Sequence, residues 1–226
     1  MSFVDREEVM ALNEELLIKI VRELTPEKRI QAIPFPRLTY REVMDKYGTD
    51  RPDLRADKND SNLLAFCWVT NFPFFEKNSE GNFTFTHNPF SAPILEHLPW
   101  LLKKEKIGEI ETTQYDVALN GFEIGGGSIR NHRPEALQAV FEILGYSPEH
   151  IETDFSHMLR ALASGAPPHG GIAWGLDRLL AILANEPNIR EVIAFPKTGE
   201  GRDLMMQAPA PVAPEQLKEL KINNVS

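Results

Sequence analysis

The chain has 226 residues, a formal charge of -9, 42% hydrophobic and 25% charged residues, and a single cysteine. The negative charge excludes a protein that coats nucleic acid through a basic face, and one cysteine excludes a disulfide framework. No apolar run reaches membrane-span length, and the start, Met1 to Glu8, does not read as a signal peptide, so a soluble, cytoplasmic globular chain without a membrane partner is expected.

In chain order, Asp5 with Glu8 makes a capping box ahead of a helix whose apolar face runs Val9, Leu12, Leu16, Ile20 and Leu24, with Pro26 just past its end. Pro34-Phe35-Pro36 is a stiff extended connector. Thr39 with Glu42 repeats the capping pattern before a short helix stopped at Gly48. A polar link, residues 56–62, leads to a strand at Ala65–Val69 in which Cys67 is a buried thiol. A second strand follows at Phe83–Thr86 after a turn at Gly81, and Pro89 to Pro99 is a proline-rich loop. Beyond the central stretch, Pro134 opens a helix with Leu137, Val140, Phe141 and Leu144 as its stripe and Gly145 at its end. Phe155, Met158, Leu159 and Leu162 form the next stripe before Gly165, with His150 and His157 on the surface. After Pro209-Ala210-Pro211 a docked extended segment, a short helix near Glu215–Leu220 and a fraying end are expected.

The chemistry lies in two stretches. In Tyr115 to Arg130, Asn120-Gly121 between alternating apolar runs is a strong hairpin signal. A two-residue turn pairs Leu119 with Phe122, Ala118 with Glu123 and Asp116 with Gly125. Asp116 and Glu123 then share a face one diagonal step apart, with Tyr115, Val117, Leu119, Phe122 and Ile124 on the other, buried face. Two converging carboxylates repel unless something positive lies between them. Mg²⁺ carrying phosphates is one solution; a solvated face with two ordinary acids is the other. Gly125-Gly126-Gly127 suits a bulge or a close approach to the backbone, and one extra residue returns Arg130 to the carboxylate face.

The second stretch, Gly170 to Leu183, is a strand that turns through Gly175 into a helix with Leu176, Leu179, Leu180 and Leu183 on one face. Arg178 stands off that stripe in the first turn, where the helix dipole does not favour a cation. It is either a surface arginine beside a carboxylate or a phosphate ligand.

These stretches, with Ala166-Pro167-Pro168-His169-Gly170-Gly171, Gly175-Leu176-Asp177-Arg178 and Ala194-Phe195-Pro196-Lys197-Thr198, closely resemble in order and spacing the C-terminal half of bacterial-type aspartyl-tRNA synthetase. The resemblance runs from Phe3-Val4-Asp5 through Tyr47 to Arg55 and on to Leu217. It implies an α+β fold in which residues 1–226 form a partial catalytic core, a class II synthetase-type antiparallel sheet flanked by helices. It also implies ATP and Mg²⁺. Arg178 would contact the γ-phosphate, with Gly175, Asp177 and Glu123 also on the nucleotide; Asp116 and Glu123 would hold the metal, and Arg130 would clamp the aspartate carboxylate. His87 would close over the amino acid. Ser128 would touch substrate or the tRNA end, or else bond to backbone. The implied activity is activation of aspartate and its transfer to the acceptor end of tRNA(Asp), in an enzyme that is a homodimer when complete.

Three departures accompany the resemblance. The anticodon-binding domain, the first motif and the second motif, whose arginine grips the α-phosphate, would precede Met1, which implies a missing N-terminal half. The inserted domain of bacterial members is absent at the 56–62 link. Asn88 stands where a second histidine is usual after His87, and its amide is expected to loosen discrimination between aspartate and asparagine. The alternatives are a non-catalytic or split-gene fragment and, more remotely, asparaginyl-tRNA synthetase or asparagine synthetase.

Overall fold

Helix α1 (Arg6–Leu24) begins at the expected capping box: the Asp5 carboxylate accepts the Glu8 N–H at 3.0 Å, and the Glu8 carboxylate accepts the Asp5 N–H at 2.9 Å. Its buried face differs from the leucine stripe. Leu12, Leu16 and Leu24 are exposed, whereas Val9, Met10, Asn13, Glu14, Leu17 and Val21 are buried. Glu14 sets that rotation, accepting the Phe35 N–H at 2.9 Å and the Trp68 indole N–H at 3.1 Å. A carboxylate goes inside only where donors meet it, and apolar spacing carries no sign of them.

This computed structural model describes residues 1–223. After α1 come β1 (Arg29–Ile30), β2 (Arg37–Thr39), α2 (Tyr40–Tyr47), β3 (Leu63–Leu64), β4 (Phe66–Thr70), β5 (Phe75–Lys77), β6 (Phe83–Phe85) and α3 (Leu98–Lys103). Then follow β7 (Gln114–Leu119), β8 (Phe122–Ile129), α4 (Pro134–Ile143), α5 (Pro148–Ala163), β9 (Gly170–Trp174), α6 (Leu176–Leu183) and α7 (Pro214–Glu219). The chain divides into two compact units, one ending at Arg178 and one beginning at Leu179.

The first unit is built on a sheet of order β2-β4-β7-β8-β9. Neighbours run antiparallel except β2 and β4, which are parallel. The expected antiparallel sheet is therefore mixed at one edge, because the return from β2 through α2 and the polar link is the long crossover that a parallel pair requires. The strand expected at Phe83–Thr86 ends at Phe85 and pairs with β5 outside this sheet. α1 meets one sheet face through Glu14 and Trp68. On the other face Val43 of α2 packs with Cys67, Val69, Phe72 and Ala118. The stripes of α4 and α5 meet as expected, with Leu137, Phe141 and Ile151 buried against Phe155, Met158, Leu159 and Leu162.

In the second unit Leu179, Ala181 and Leu183 are buried. The expected apolar face of α6 proves to be two rows four residues apart: Leu179 and Leu183 are inside, and Leu176 and Leu180 are exposed. The segment before α7, residues 209–213, is exposed rather than docked, since proline and alanine offer little apolar area to bury. Its helix forms close to the expected place. Part of the expected fraying end, residues 224–226, lies outside the described residues. Among the described residues no helix is long and apolar enough to cross a membrane.

Candidate functional site

The site grows from the β7–β8 hairpin. Asn120 and Gly121 both take positive φ, 51° and 90°, as the tight turn demands. Leu119 pairs with Phe122 and Ala118 with Glu123, as expected. Beyond them the register shifts between Val117 and Ala118, so that Asp116 pairs with Gly126 rather than Gly125. The extra residue is Ile124, one step before the glycine run. It has the effect anticipated from parity: Asp116, Glu123, Gly126, Ser128 and Arg130 share the sheet face opposite α1. Phe122, expected to be buried, is 54% exposed because it sits at the turn, whereas Ile124 is fully buried.

Gly126 shows why a residue without a side chain stands here. A Cβ on it would come 2.6 Å from Asp116 Oδ1 and 3.5 Å from Glu123 Oε1, so both carboxylates lean over its backbone. Burial, then the charge of Glu123, pushes the Asp116 carboxyl from 3.8 up to about 7, opposed by the Gln114 amide, which donates to Oδ1 at 3.2 Å. The charge of Asp50 acts in the same upward direction.

Arg178 finds its carboxylate in the same place. Its Nη1 donates to the Glu123 carbonyl at 2.8 Å and lies 3.8 Å from Glu123 Oε2. The Gly175 N–H donates to the Ile124 carbonyl at 2.9 Å, holding the strand-to-helix turn against the bulge. Asp177 is exposed in that turn. Just past the end of β8, Arg130 Nη1 donates to Ser128 Oγ at 3.2 Å. Ser128 is buried and also accepts from Ser91 Oγ at 2.9 Å, so its hydroxyl meets side chains rather than strand backbone. His87 is exposed, its ring edge-on to Phe72 with centroids 4.9 Å apart.

Gln114, Asp50 and Ser91 belong to this constellation without standing out in the sequence. Gln114 was within reach, because a residue two positions from Asp116 on one strand shares its face. Ser91 lies 37 residues from Ser128 in the chain, and no local pattern links them.

Asp116 and Glu123 suit a hard divalent cation whose remaining ligands are water or phosphate oxygens. Among the described residues no group of three or more His, Cys, Asp or Glu gathers that could hold a metal ion. The raised carboxyl makes stability fall as pH rises: between about pH 4 and about pH 7 the unfolded chain has lost a proton that the folded chain keeps. Asp116→Asn should therefore stabilise the chain at pH 8 by up to about 4 kcal/mol and leave it unchanged below pH 4. Thermal midpoints across that range test this, and an equal effect at both ends would show that the shift is absent.

A family model described as tRNA synthetases class II (D, K and N) matches residues 1–199. An aspartate–tRNA(Asp/Asn) ligase of Phenylobacterium zucineum is 52% identical over 178 residues, which are 78% of this chain and 29% of that protein. A protein of the same name from Rubrobacter xylanophilus is 33% identical across 99% of this chain and 57% of its own length, along an alignment of 347 residues. The chain thus spans less than a third of the first relative and little more than half of the second. Asparaginyl-tRNA synthetase from Entamoeba histolytica, solved with asparaginyl-adenylate, is similar in fold, with a TM-score of 0.63 at 19% identity over 90% of this chain and 47% of that one.

Proposed function

The chain belongs to the class II tRNA synthetases of the D, K and N group, and on that premise we propose that it is the C-terminal catalytic part of an aspartate–tRNA ligase. The observation that carries the reading is one sheet face on which two carboxylates converge over Gly126, Arg178 stands against Glu123, and Arg130 follows just past the end of the same strand.

In the proposed chemistry the α-carboxylate of aspartate attacks the α-phosphate of ATP, pyrophosphate leaves, and the adenylate passes its acyl group to a ribose hydroxyl at the tRNA end. Arg130 holds the side-chain carboxylate and Arg178 the polyphosphate, each through the forked donors that suit such anions. Asp116 and Glu123 would hold Mg²⁺, which when bound neutralises phosphate charge. Positioning and charge neutralisation then supply most of the rate. His87 covers the amino acid, and Gly175 and Asp177 line the nucleotide side. The arginine for the α-phosphate belongs, in the resemblance, to a second motif that this sequence does not contain. An upstream segment is therefore part of the proposal, as are tRNA, a dimer and a cytoplasmic setting in which the lone buried thiol, Cys67, needs no partner. The Rubrobacter alignment runs over 347 residues against 226 in this chain, as extra residues in that relative require, and the resemblance puts them at residues 56–62.

Arg178→Ala should raise the KM for ATP in pyrophosphate exchange by about tenfold or more, the scale of a lost charge-assisted bond. The thermal midpoint should hold, because the side chain is half exposed and off the buried row of α6. Steady-state exchange by the chain assembled with an upstream half checks this, and an unchanged KM would remove Arg178 from the phosphate role.

A further inference from the structure

Asn88 and Ser91 take no part in the proposed chemistry, yet they join the loop after His87 to the arginine proposed for the substrate carboxylate. Asn88 Oδ1 accepts the Phe90 N–H at 2.9 Å and the Ser91 N–H at 3.1 Å, which folds residues 88–91 into a tight turn. That turn is sewn to the end of β8: Ala92 N–H donates to the Ile129 carbonyl and Asn131 N–H to the Phe90 carbonyl, both at 2.8 Å. Ser91 is thereby placed opposite Arg130 in a backbone bridge. The Ser91 hydroxyl has one proton and two neighbouring acceptors, Asn88 Oδ1 at 3.4 Å and Ser128 Oγ at 2.9 Å; it donates to the nearer. Ser128 Oγ in turn accepts Arg130 Nη1 at 3.2 Å. Ser91 and Ser128 are each 1% exposed, so water does not compete for the bond between their hydroxyls.

We infer that Asn88 and Ser91 are positioning residues that fix the guanidinium of Arg130 through Ser128, coupling the His87 loop to recognition of a dicarboxylic amino acid. Recognition of the amino acid rests on the proposed role of Arg130; the relay itself does not. Asn88 is then more than a histidine replaced. Its amide oxygen takes two backbone donors at once, whereas a neutral imidazole offers a single acceptor nitrogen.

The test is NMR of the full chain labelled at the arginine guanidinium, reading rotation about the Nε–Cζ bond of Arg130. Ser91→Ala and Asn88→Ala should each speed that rotation by about fivefold, the scale of one modest hydrogen bond. Asn88→Asp, which keeps the accepting oxygen, should restore the native rate, and thermal midpoints should stay together across the set. Unchanged rotation in Ser91→Ala would overturn the relay. L-aspartate then separates the two claims. If it slows Arg130 in the native chain and less so in Ser91→Ala, the relay serves the dicarboxylate site. If it leaves native Arg130 unmoved while Ser91→Ala still frees the guanidinium, the relay stands and the substrate role of Arg130 is what fails.

Discussion

Arg130→Leu should lower kcat/KM for aspartate in pyrophosphate exchange by about 10³-fold, roughly 4 kcal/mol of transition-state stabilisation, and erase the preference for aspartate over asparagine. A site whose selectivity comes from donors aimed at a carboxylate loses it when those donors go, because the amide analogue was rejected by the same guanidinium. The fold should survive, since Arg130 is exposed and Ser128 Oγ still accepts from Ser91 Oγ when the guanidinium is gone. Competition between the two amino acids, in the chain assembled with an upstream half, gives the measurement. Retained selectivity would place recognition elsewhere, among residues upstream of this sequence.

The second large effect is structural. Gly127→Ala should unfold the hairpin region, at a cost of about 3 kcal/mol or more. A Cβ at Gly127 would overlap the carbonyl oxygen of Gly171 on β9 and lie 2.8 Å from Tyr115 Cε2. Neither neighbour is free to yield. Tyr115 is buried, with its hydroxyl on the Gly171 carbonyl at 2.8 Å, and Gly171 is paired with Ser128 within the sheet. Gly171 supplies the control, because a Cβ there meets nothing within 4 Å. Gly171→Ala should fold with native stability or slightly better, since it restricts the unfolded chain. Thermal unfolding of the two variants side by side decides the matter, and equal midpoints would mean that the strands do not approach as closely as described.

The hairpin was legible in the sequence because its signal is local: Asn120-Gly121 dictates the turn, the turn dictates the pairing, and period two puts Glu123 beside Asp116. The bulge was legible only in consequence. Parity required an extra residue before Arg130, but nothing local separates Ile124 from the three glycines as its place, and the glycines answer instead to what lies above them. Capping boxes at Asp5 and Thr39 were likewise read correctly, since each is settled within four residues. What escaped was governed by distant partners. The rotation of α1 depends on Glu14 meeting Phe35 and Trp68, residues 21 and 54 positions away. The parallel pairing of β2 with β4 follows from a crossover whose end point no pattern marks. The two leucine rows of α6 are equivalent in sequence, and only packing distinguishes Leu179 from Leu180.

The same distinction holds in the site. Arg178 was singled out because a cation at a helix N-terminus is locally unfavourable, and the structure shows what offsets that: the carbonyl and carboxylate of Glu123. The route from Asn88 through Ser91 and Ser128 to Arg130 joins segments that no spacing relates. It is visible only once β8 and the loop after His87 lie side by side.

Aspartate-dependent exchange of pyrophosphate into ATP, measured on the chain alone and after addition of an upstream half carrying a second motif, decides whether this sheet face activates aspartate. The C-terminal catalytic part of an aspartate–tRNA ligase should be silent alone and should show exchange on complementation that aspartate supports and asparagine does not. Silence in both would contradict it and leave a non-catalytic module as the reading of this sheet face.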